Sequence, residues 1–389
     1  MSMTPKDPTR PRVVLHVGAP KSGTTFLQRA LWKNRSALAD AGYLLPGANA
    51  REMFLAAIEV RETHETWGFQ RAELAGTWQR LAREARGSAR TTIMSHELLA
   101  AATDDQIAAA LEELGGTDVH VVFTARDLGR QVVSEWQERI KNGSDSTFDE
   151  FERRITKRIR DRDFGSLFWR YQDLPGVLER WAGHLPPGNV HIVVAPPPGA
   201  DPSELWRRFG DAVGFDADAL DPSSPAGAAN QTLGVVSISI LRQVNEALQG
   251  RIVQPTYARV VKRYLGQDLL TRHSSPRPVC PPDLQAALRQ LSEEWTEQIG
   301  ERGYAVHGDL AELLPTPAVS PAPPDDVDLR DQATVSAAVI ADLLVEVAEL
   351  RGRVRRLSRQ ADARPAQTAG LPRRLRRRAR GLVHALVHR

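Results

Sequence analysis

The fold is decided by residues 13–26, which read Val-Val-Leu-His-Val-Gly-Ala-Pro-Lys-Ser-Gly-Thr-Thr-Phe. An apolar run, typical of a buried strand, leads here into a loop with two glycines. In an ATP-binding P-loop, Gly-x-x-x-x-Gly-Lys-Ser/Thr, the lysine follows the second glycine. Gly18 and Gly23 keep that spacing, but Thr24 takes the place of the lysine, and Lys21 lies inside the loop. The backbone amides of such a loop still converge on an anion at a helix N-terminus. The sequence therefore predicts a nucleotide-phosphate site that is not built for ATP hydrolysis.

A second polar site is predicted by residues 119–136, Val-His-Val-Val-Phe-Thr-Ala-Arg-Asp-Leu-Gly-Arg-Gln-Val-Val-Ser-Glu-Trp. The apolar start is typical of a buried parallel strand, and Arg126 stands at its carboxyl end, where open α/β sheets bind ligands. Ser134 follows eight residues later, about two helical turns on, so it can share a helix face with residues near Arg126. A guanidinium and a hydroxyl together suit a phosphate group.

The two segments resemble sulfotransferases that use 3′-phosphoadenylyl sulfate (PAPS), and the likeness to actinobacterial members of that family extends over roughly residues 12–315. The resemblance implies an α/β fold, a P-loop-type parallel sheet flanked by helices, with PAPS as co-substrate. Arg126 and Ser134 would hold the 3′-phosphate, although Leu128 stands where the family often has proline. The loop that would bind the 5′-phosphosulfate consists of Pro20, Lys21, Ser22, Gly23, Thr24, Thr25 and Phe26.

A general base is expected at residues 91–99, Thr-Thr-Ile-Met-Ser-His-Glu-Leu-Leu, a short strand with a polar tip. Sulfuryl transfer needs a base to take the proton of the acceptor hydroxyl. Cytosolic sulfotransferases place a histidine at this tip, which would be His96, whereas many bacterial relatives use a glutamate, which would be Glu97. Adjacent residues of an extended segment point in opposite directions, so one of the two is expected to face the donor. Lys21 would neutralise the charge that develops on the leaving group.

Composition and length favour one large α/β domain with an appendage. The chain has 389 residues, of which 41% are hydrophobic, and Cys280 is its sole cysteine. It therefore offers no intrachain disulfide or cysteine metal site, and no metal is implied by the resemblance. The sequence has no run of about 18 apolar residues, so it does not predict a membrane span. The N-terminus is polar and does not have the pattern of a signal peptide. We expect a cytoplasmic protein with no nucleic-acid partner.

The predicted organisation has five parts. The net charge of +3 combines +12 from residue 351 onward with −9 before it, so the basic charge belongs to the C-terminal tail. Proline-rich sequence between the main domain and the next helix predicts a semi-rigid linker. The parts are a disordered N-terminus (1–11), a sulfotransferase domain (12–315), a Pro-rich linker (316–330), an amphipathic or coiled-coil helix (331–360) and an Arg-rich tail (361–389).

Two partner surfaces are predicted in the appendage. Heptad-like spacing in 340–357 favours either a homodimer through a coiled coil or one helix packed on its own domain. Residues 371–387 form either a basic amphipathic helix on an anionic membrane surface, which would place the protein at the inner membrane face, or a disordered tail. The heptad positions are Ile340, Leu343, Val347, Leu350, Val354 and Leu357.

The clearest predicted strands are 13–17, 91–95, 119–124 and 190–195, and a helix is predicted over 233–249. Residues 251–280 read as irregular and basic, with Arg272 and Arg277 as candidates to close over a nucleotide.

The function predicted from these patterns is transfer of a sulfuryl group from PAPS to a hydroxyl. Glycan, glycolipid, lipid-alcohol and small-metabolite acceptors are all compatible with the sequence. One alternative is a P-loop kinase, which needs a lysine at position 24 and an acidic magnesium ligand at a strand end. The other is a non-catalytic scaffold that keeps the nucleotide fold.

Overall fold

A computed structural model describes residues 10–223, 233–316 and 322–363. In these ranges one sheet contains six strands, all parallel, in the order β2-β3-β1-β4-β5-β6. The strands are β1 (Arg12–Gly18), β2 (Tyr43–Leu44), β3 (Thr91–Ser95), β4 (Asp118–Ala125), β5 (Val190–Val194) and β6 (Ala305–His307).

Helices cover both faces of the sheet. The α-helices are α1 (Thr24–Lys33), α2 (Arg35–Asp40), α3 (Ala50–Arg61), α4 (Arg71–Leu74), α5 (Thr77–Arg86), α6 (Asp104–Glu112), α7 (Leu128–Lys141), α8 (Phe148–Asp161), α9 (Leu167–Gln172), α10 (Leu174–Ala182), α11 (Glu204–Val213), α12 (Val235–Leu248), α13 (Pro282–Gly300) and α14 (Leu329–Ala363). A π-helix spans Ala258–Leu269, and short 3₁₀ helices span Glu65–Trp67, Glu97–Ala101, Pro187–Asn189, Leu270–Arg272 and Leu310–Leu313. The α/β fold class and the four clearest strands predicted from the sequence are confirmed.

Strand β1 shows why the sheet is buried on both sides. Leu15 and Val17 belong to the larger apolar core, whereas Val14 belongs to a smaller core on the opposite face. Successive strand residues point to opposite faces, so an unbroken apolar run needs helices on each side. The larger core contains Trp136 of α7, and the smaller contains Trp206 of α11, both about 1% exposed. Full burial of each such side chain stabilises the fold by at least about 1.5–3 kcal/mol.

The strand order positions the ligand site. From β1 the chain continues to β2 and β3 on one side and then crosses to β4 on the other. Such a reversal leaves a crevice at the carboxyl ends of the two strands beside it, here β1 and β4, and ligands bind in this crevice. The glycine loop follows β1 and Arg126 follows β4, so both predicted phosphate sites open on the same crevice.

Two segments differ from the sequence prediction. Residues 251–280 were expected to be irregular, but they contain the π-helix and a 3₁₀ helix, with Val261 and Leu269 buried against the larger core. The end of the predicted linker also lies on the domain. Asp325 accepts hydrogen bonds from the backbone amides of Phe148 and Asp149, at 3.1 and 2.9 Å, and so supports the start of α8.

The appendage helix α14 begins at Leu329 and is 35 residues long. Its first half packs on α12, with Val339 only 3% exposed. Among the described helices none is both long and apolar enough to span a membrane. The predictions for most of the N-terminus and for the tail, including residues 371–387, fall outside the described residues.

Candidate anion-binding and active site

The glycine loop has a backbone conformation that few residue types other than glycine adopt. Gly18 and Gly23 have φ values of +151° and +100°, and Lys21 has φ +68°, in the left-handed region that side chains disfavour. A Cβ atom on Gly23 would lie 2.3 Å from Leu205, and one on Gly18 would lie 2.8 Å from Ala100. Strain of this kind persists where surrounding contacts determine the backbone, and it concentrates at functional sites.

The start of α1 is available to an anion. Gly23 is the N-cap residue of α1 and supplies no side chain to accept from the first-turn amides. These amides have no acceptor within the helix, and the helix dipole gives this end a partial positive charge. The loop thus offers a ready site for a phosphate or sulfate oxygen.

The hydroxyls of the loop do not all face the crevice. Ser22 is 1% exposed; its Oγ donates to the carbonyl of Ala19 at 2.6 Å and lies 2.5 Å from Thr124 Oγ1. Thr24 is also buried, whereas Thr25 is partly exposed. The sequence predicted Ser22, Thr24 and Thr25 as ligands of the 5′-phosphate, and in the structure the Ser22 hydroxyl lies inside the loop.

Two buried glutamines hold the loop through the carbonyl group of Pro20. The side-chain amides of Gln131 and Gln172 both donate to the carbonyl of Pro20, at 3.0 and 3.1 Å, and Gln131 also donates to Gln172. Sequence reasoning missed both residues, because a lone glutamine in a helix carries no signal of a long-range contact.

Lys21 lies in a cluster of charged groups. Its Nζ is 2.6 Å from Glu138 Oε2, and the other oxygen of Glu138 is 2.7 Å from the Nζ of Lys262. Burial acts to raise the pKa of Glu138, but the two ammonium groups outweigh it and lower that pKa to about 2. Burial lowers the pKa of Lys141 to about 8, with Lys21 and Lys262 acting in the same direction. A second carboxylate, Glu135, also interacts with Lys21, but it pairs with Arg139 at 3.1 Å. The three lysines therefore leave the cluster with net positive charge at neutral pH.

The sequence carried only part of the information about this cluster. Ser134, Glu138 and Lys141 are four and three residues apart on α7, which places them on one helix face. Lys262 comes from the π-helix, more than a hundred residues later, and no pattern pointed to it. Arg272, a sequence candidate for closing over the nucleotide, instead pairs with Asp342 of α14 at 3.3 Å.

Arg126 is a partly buried cation beside the loop. Its Nη1 donates to the carbonyl of Lys21 at 2.9 Å and lies 3.5 Å from Ser134 Oγ. Burial lowers the pKa of Arg126 to about 10, and the charge of Arg130 adds to this effect while Asp127 opposes it. No carboxylate of the described chain lies within ion-pair distance of Arg126. A desolvated guanidinium of this kind is an energetically favourable place for an anion.

His96 and Glu97 follow the carboxyl end of β3, on the side of the sheet where the glycine loop follows β1 and Arg126 follows β4. The Nδ1 of His96 accepts from the backbone amide of Leu98 at 3.3 Å, and its ring contacts that of Phe54. Burial lowers the pKa of His96, against the charge of Glu97, so the ring is neutral at pH 7. A neutral ring that accepts at Nδ1 carries its proton on Nε2 and has no second acceptor nitrogen.

Glu97 is ionised in this arrangement. Its Oε2 accepts from the side-chain amide of Gln28 at 2.7 Å, which links it to helix α1. Burial acts to raise the pKa of Glu97, but His96 and the hydrogen bonds from its own backbone amide and Gln28 leave it below the ordinary value. At neutral pH the two side chains that follow β3 are thus a neutral imidazole and a carboxylate.

Comparisons with known proteins leave the family open. No family model matches the chain, and no curated protein is similar to it in sequence. Among solved structures, a crystal structure of a sulfotransferase from Alicyclobacillus acidocaldarius covers 64% of this chain and 100% of its own, at 15% sequence identity and a TM-score of 0.38. A similarity this weak carries no argument, so the function proposed below depends on this chain's own residues.

Proposed function

We propose that the chain is a sulfotransferase that moves the sulfuryl group of PAPS to a hydroxyl group of its acceptor. The observation that carries this proposal is the position of Arg126, whose guanidinium contacts both the Lys21 carbonyl and Ser134. Two anion subsites therefore lie side by side, one at the glycine loop and one at Arg126 and Ser134. PAPS carries a 5′-phosphosulfate and a 3′-phosphate on one ribose, which suits two adjacent subsites.

The donor would be held as follows. The loop amides and Thr25 would bind the 5′-phosphosulfate, and Arg126 with Ser134 would bind the 3′-phosphate. Lys141 and Lys262 would add positive charge near a nucleotide with several negative charges. Lys21 would exchange its contact with Glu138 for one with the donor, and Glu138 would keep Lys262 as a partner.

The transfer step itself requires a base and stabilisation of a leaving group. Glu97 would take the proton of the acceptor hydroxyl as the acceptor oxygen forms its bond to sulfur. The bond between sulfur and the bridging phosphate oxygen would break, and the electron pair would leave with adenosine 3′,5′-bisphosphate. Lys21 would stabilise the charge on that oxygen, so catalysis is by positioning and by fixed charges.

A P-loop kinase has less support from the same geometry. Position 24, where a kinase has its lysine, is a buried threonine. Arg126 follows β4, the strand next to the loop, at a place where a magnesium ligand would need to be acidic.

The binding test is calorimetry with adenosine 3′,5′-bisphosphate, AMP and ATP. The 3′-phosphate contact should make the bisphosphate bind at least about 30-fold more tightly than AMP, the equivalent of about 2 kcal/mol. Arg126→Ala should abolish that difference, whereas Arg154→Ala, at an exposed position on α8, should preserve it. Equal affinity of the wild-type protein for AMP and the bisphosphate would exclude the proposed donor.

A further inference from the structure

The second half of α14 projects away from the domain. Its first half is fixed, because Val335, Val339 and Leu343 contact the larger core and Gln332 donates to Gln243 of α12 at 2.7 Å. Beyond Leu343 no residue of the helix is buried in the described structure. The helix nevertheless continues for five more turns, so these turns need a stabilising contact of their own.

An apolar stripe runs along these projecting turns. We define the stripe as Ile340, Leu343, Val347, Leu350, Val354 and Leu357, which are spaced 3-4-3-4-3 along the chain. Apart from Leu343, its members are 42–64% exposed. This is the spacing of a two-stranded coiled coil, and an exposed apolar row of this length marks an interaction surface.

The charges beside the stripe are segregated along the helix. Asp342, Glu346 and Glu349 come first along the chain, and Arg351, Arg353, Arg355, Arg356 and Arg359 follow them. A parallel pair would place the arginine-rich halves side by side, where like charges repel. An antiparallel pair places each acidic half against a basic half. We propose that a second copy of this chain covers the stripe, with the two α14 helices antiparallel.

The stripe fixes the register of this pair. A two-fold axis near residues 348–349 brings each copy's Val347 against Leu350 of the other and Ile340 against Leu357. Leu343, which its own domain partly covers, lies level with Val354 of the other copy. The same register sets Glu346 beside Arg353 of the other copy, and symmetry forms this ion pair twice. Arg353 already lies 3.5 Å from Glu346 of its own helix, so its guanidinium is on the appropriate side of the stripe.

The antiparallel arrangement also separates the two domains. The overlap of residues 340–357 is about 27 Å long at 1.5 Å per residue. Each domain is attached at the start of its own helix, so the two domains lie at opposite ends of the overlap. A parallel pair would bring both domains to the same end.

Sedimentation equilibrium of the full chain tests whether a second copy of the chain covers the stripe. The wild-type chain should dimerise, and Leu350→Glu should raise the dissociation constant more than about a hundredfold, since a charge would enter the central layer. Val345→Glu is a matched control, because Val345 is 60% exposed on the same helix but lies off the stripe. Circular dichroism checks that the helix is retained. A monomeric wild-type chain, or a Leu350→Glu chain that dimerises normally, would overturn the proposal.

Charge reversal tests the orientation. Arg353→Glu alone and Glu346→Arg alone should each weaken the dimer about three- to tenfold, and the double variant should recover the wild-type affinity. In a parallel pair Glu346 would face Arg351 instead, so the double variant would stay weak. That outcome would overturn the antiparallel register. Both measurements follow dimerisation and are independent of sulfuryl transfer.

Discussion

Two clusters of titratable groups lie at opposite ends of the parallel strands. We call the side of the sheet where the strands end its carboxyl edge, and the side where they begin its amino edge. At the carboxyl edge, Lys21, Lys141 and Lys262 surround Glu138, and Arg126 has no carboxylate partner in the described structure. At the amino edge, imidazole rings from three neighbouring strands form a hydrogen-bonded row. His120 donates to Asp118 at 3.2 Å, His191 donates to His120 at 2.9 Å and His307 donates to His191 at 3.2 Å.

The two clusters differ in whether their groups satisfy one another. In the histidine row each ring donates at Nε2, and the rings of His120 and His191 accept at Nδ1, so one set of neutral tautomers accounts for these three contacts. Burial lowers the pKa of His191 to about 3, and His120 and His307 act in the same direction, which keeps the His191 ring uncharged at neutral pH. The lysine cluster keeps excess positive charge beside a strained loop. Unbalanced charge at a ligand crevice points to function, and a balanced row points to a structural role.

The largest expected effect is at the carboxyl edge, on proton transfer. Glu97→Gln should lower kcat by about 10²–10⁴, because the amide cannot take the acceptor's proton. His96→Asn should change kcat by less than about tenfold, since asparagine keeps the capping acceptor for Leu98. Transfer of labelled sulfate from PAPS to acceptors in a cell extract measures both, and calorimetry checks that donor affinity is retained. A large loss in His96→Asn together with a small one in Glu97→Gln would reverse the assignment.

The second-largest effect is expected for Lys21, which would stabilise the negative charge of the leaving group. Lys21→Ala should lower kcat by about 10²–10³, the usual cost of one group that stabilises transition-state charge. The melting temperature should change little, because Glu138 keeps its contact with Lys262. Lys33→Ala is the matched control, since Lys33 is exposed on the same helix that follows the loop and pairs with Asp221. Activity of Lys21→Ala within a few-fold of wild type would show that the cluster is as structural as the histidine row.

The smallest effect is expected at the amino edge and concerns stability. Below about pH 6.5 the unfolded chain protonates His191 while the folded chain stays neutral until about pH 3. The contribution of His191 to stability is therefore complete above pH 6.5 and is lost as the pH falls, by about 1.4 kcal/mol per pH unit.

Urea unfolding at about pH 7 and pH 5 measures this contribution. From pH 7 to pH 5 the free energy of unfolding should fall by about 2 kcal/mol more in the wild-type chain than in His191→Gln. The exposed control His184→Gln should behave like the wild-type chain. A loss of the same size in all three proteins would mean that the histidine row does not exclude protons. The row would then resemble the lysine cluster in tolerating charge.

The sequence predicted the parts of this molecule that depend on local pattern. Apolar runs specified the four clearest strands, because a strand buried on both faces needs nearly every residue to be apolar. Gly18 and Gly23 marked the loop, because the backbone there takes conformations that other residues disfavour. The spacing of Arg126 and Ser134 predicted that they can share a helix face, and the Nη1 of Arg126 lies 3.5 Å from the Oγ of Ser134.

Contacts between distant segments were decided by the tertiary structure. Lys262 meets Glu138 across more than a hundred residues, and the π-helix that carries it was not predicted from a segment that read as irregular. Packing around β3 also sets the charges of two neighbours that the sequence could not distinguish, since it neutralises His96 and leaves Glu97 charged. The sequence alone thus determined four strands, the loop and the candidate ligand residues, since these follow from short-range sterics and periodicity. Burial and charge at each group depend on which segments the fold brings together, so only the tertiary structure decided which side chains are free to act.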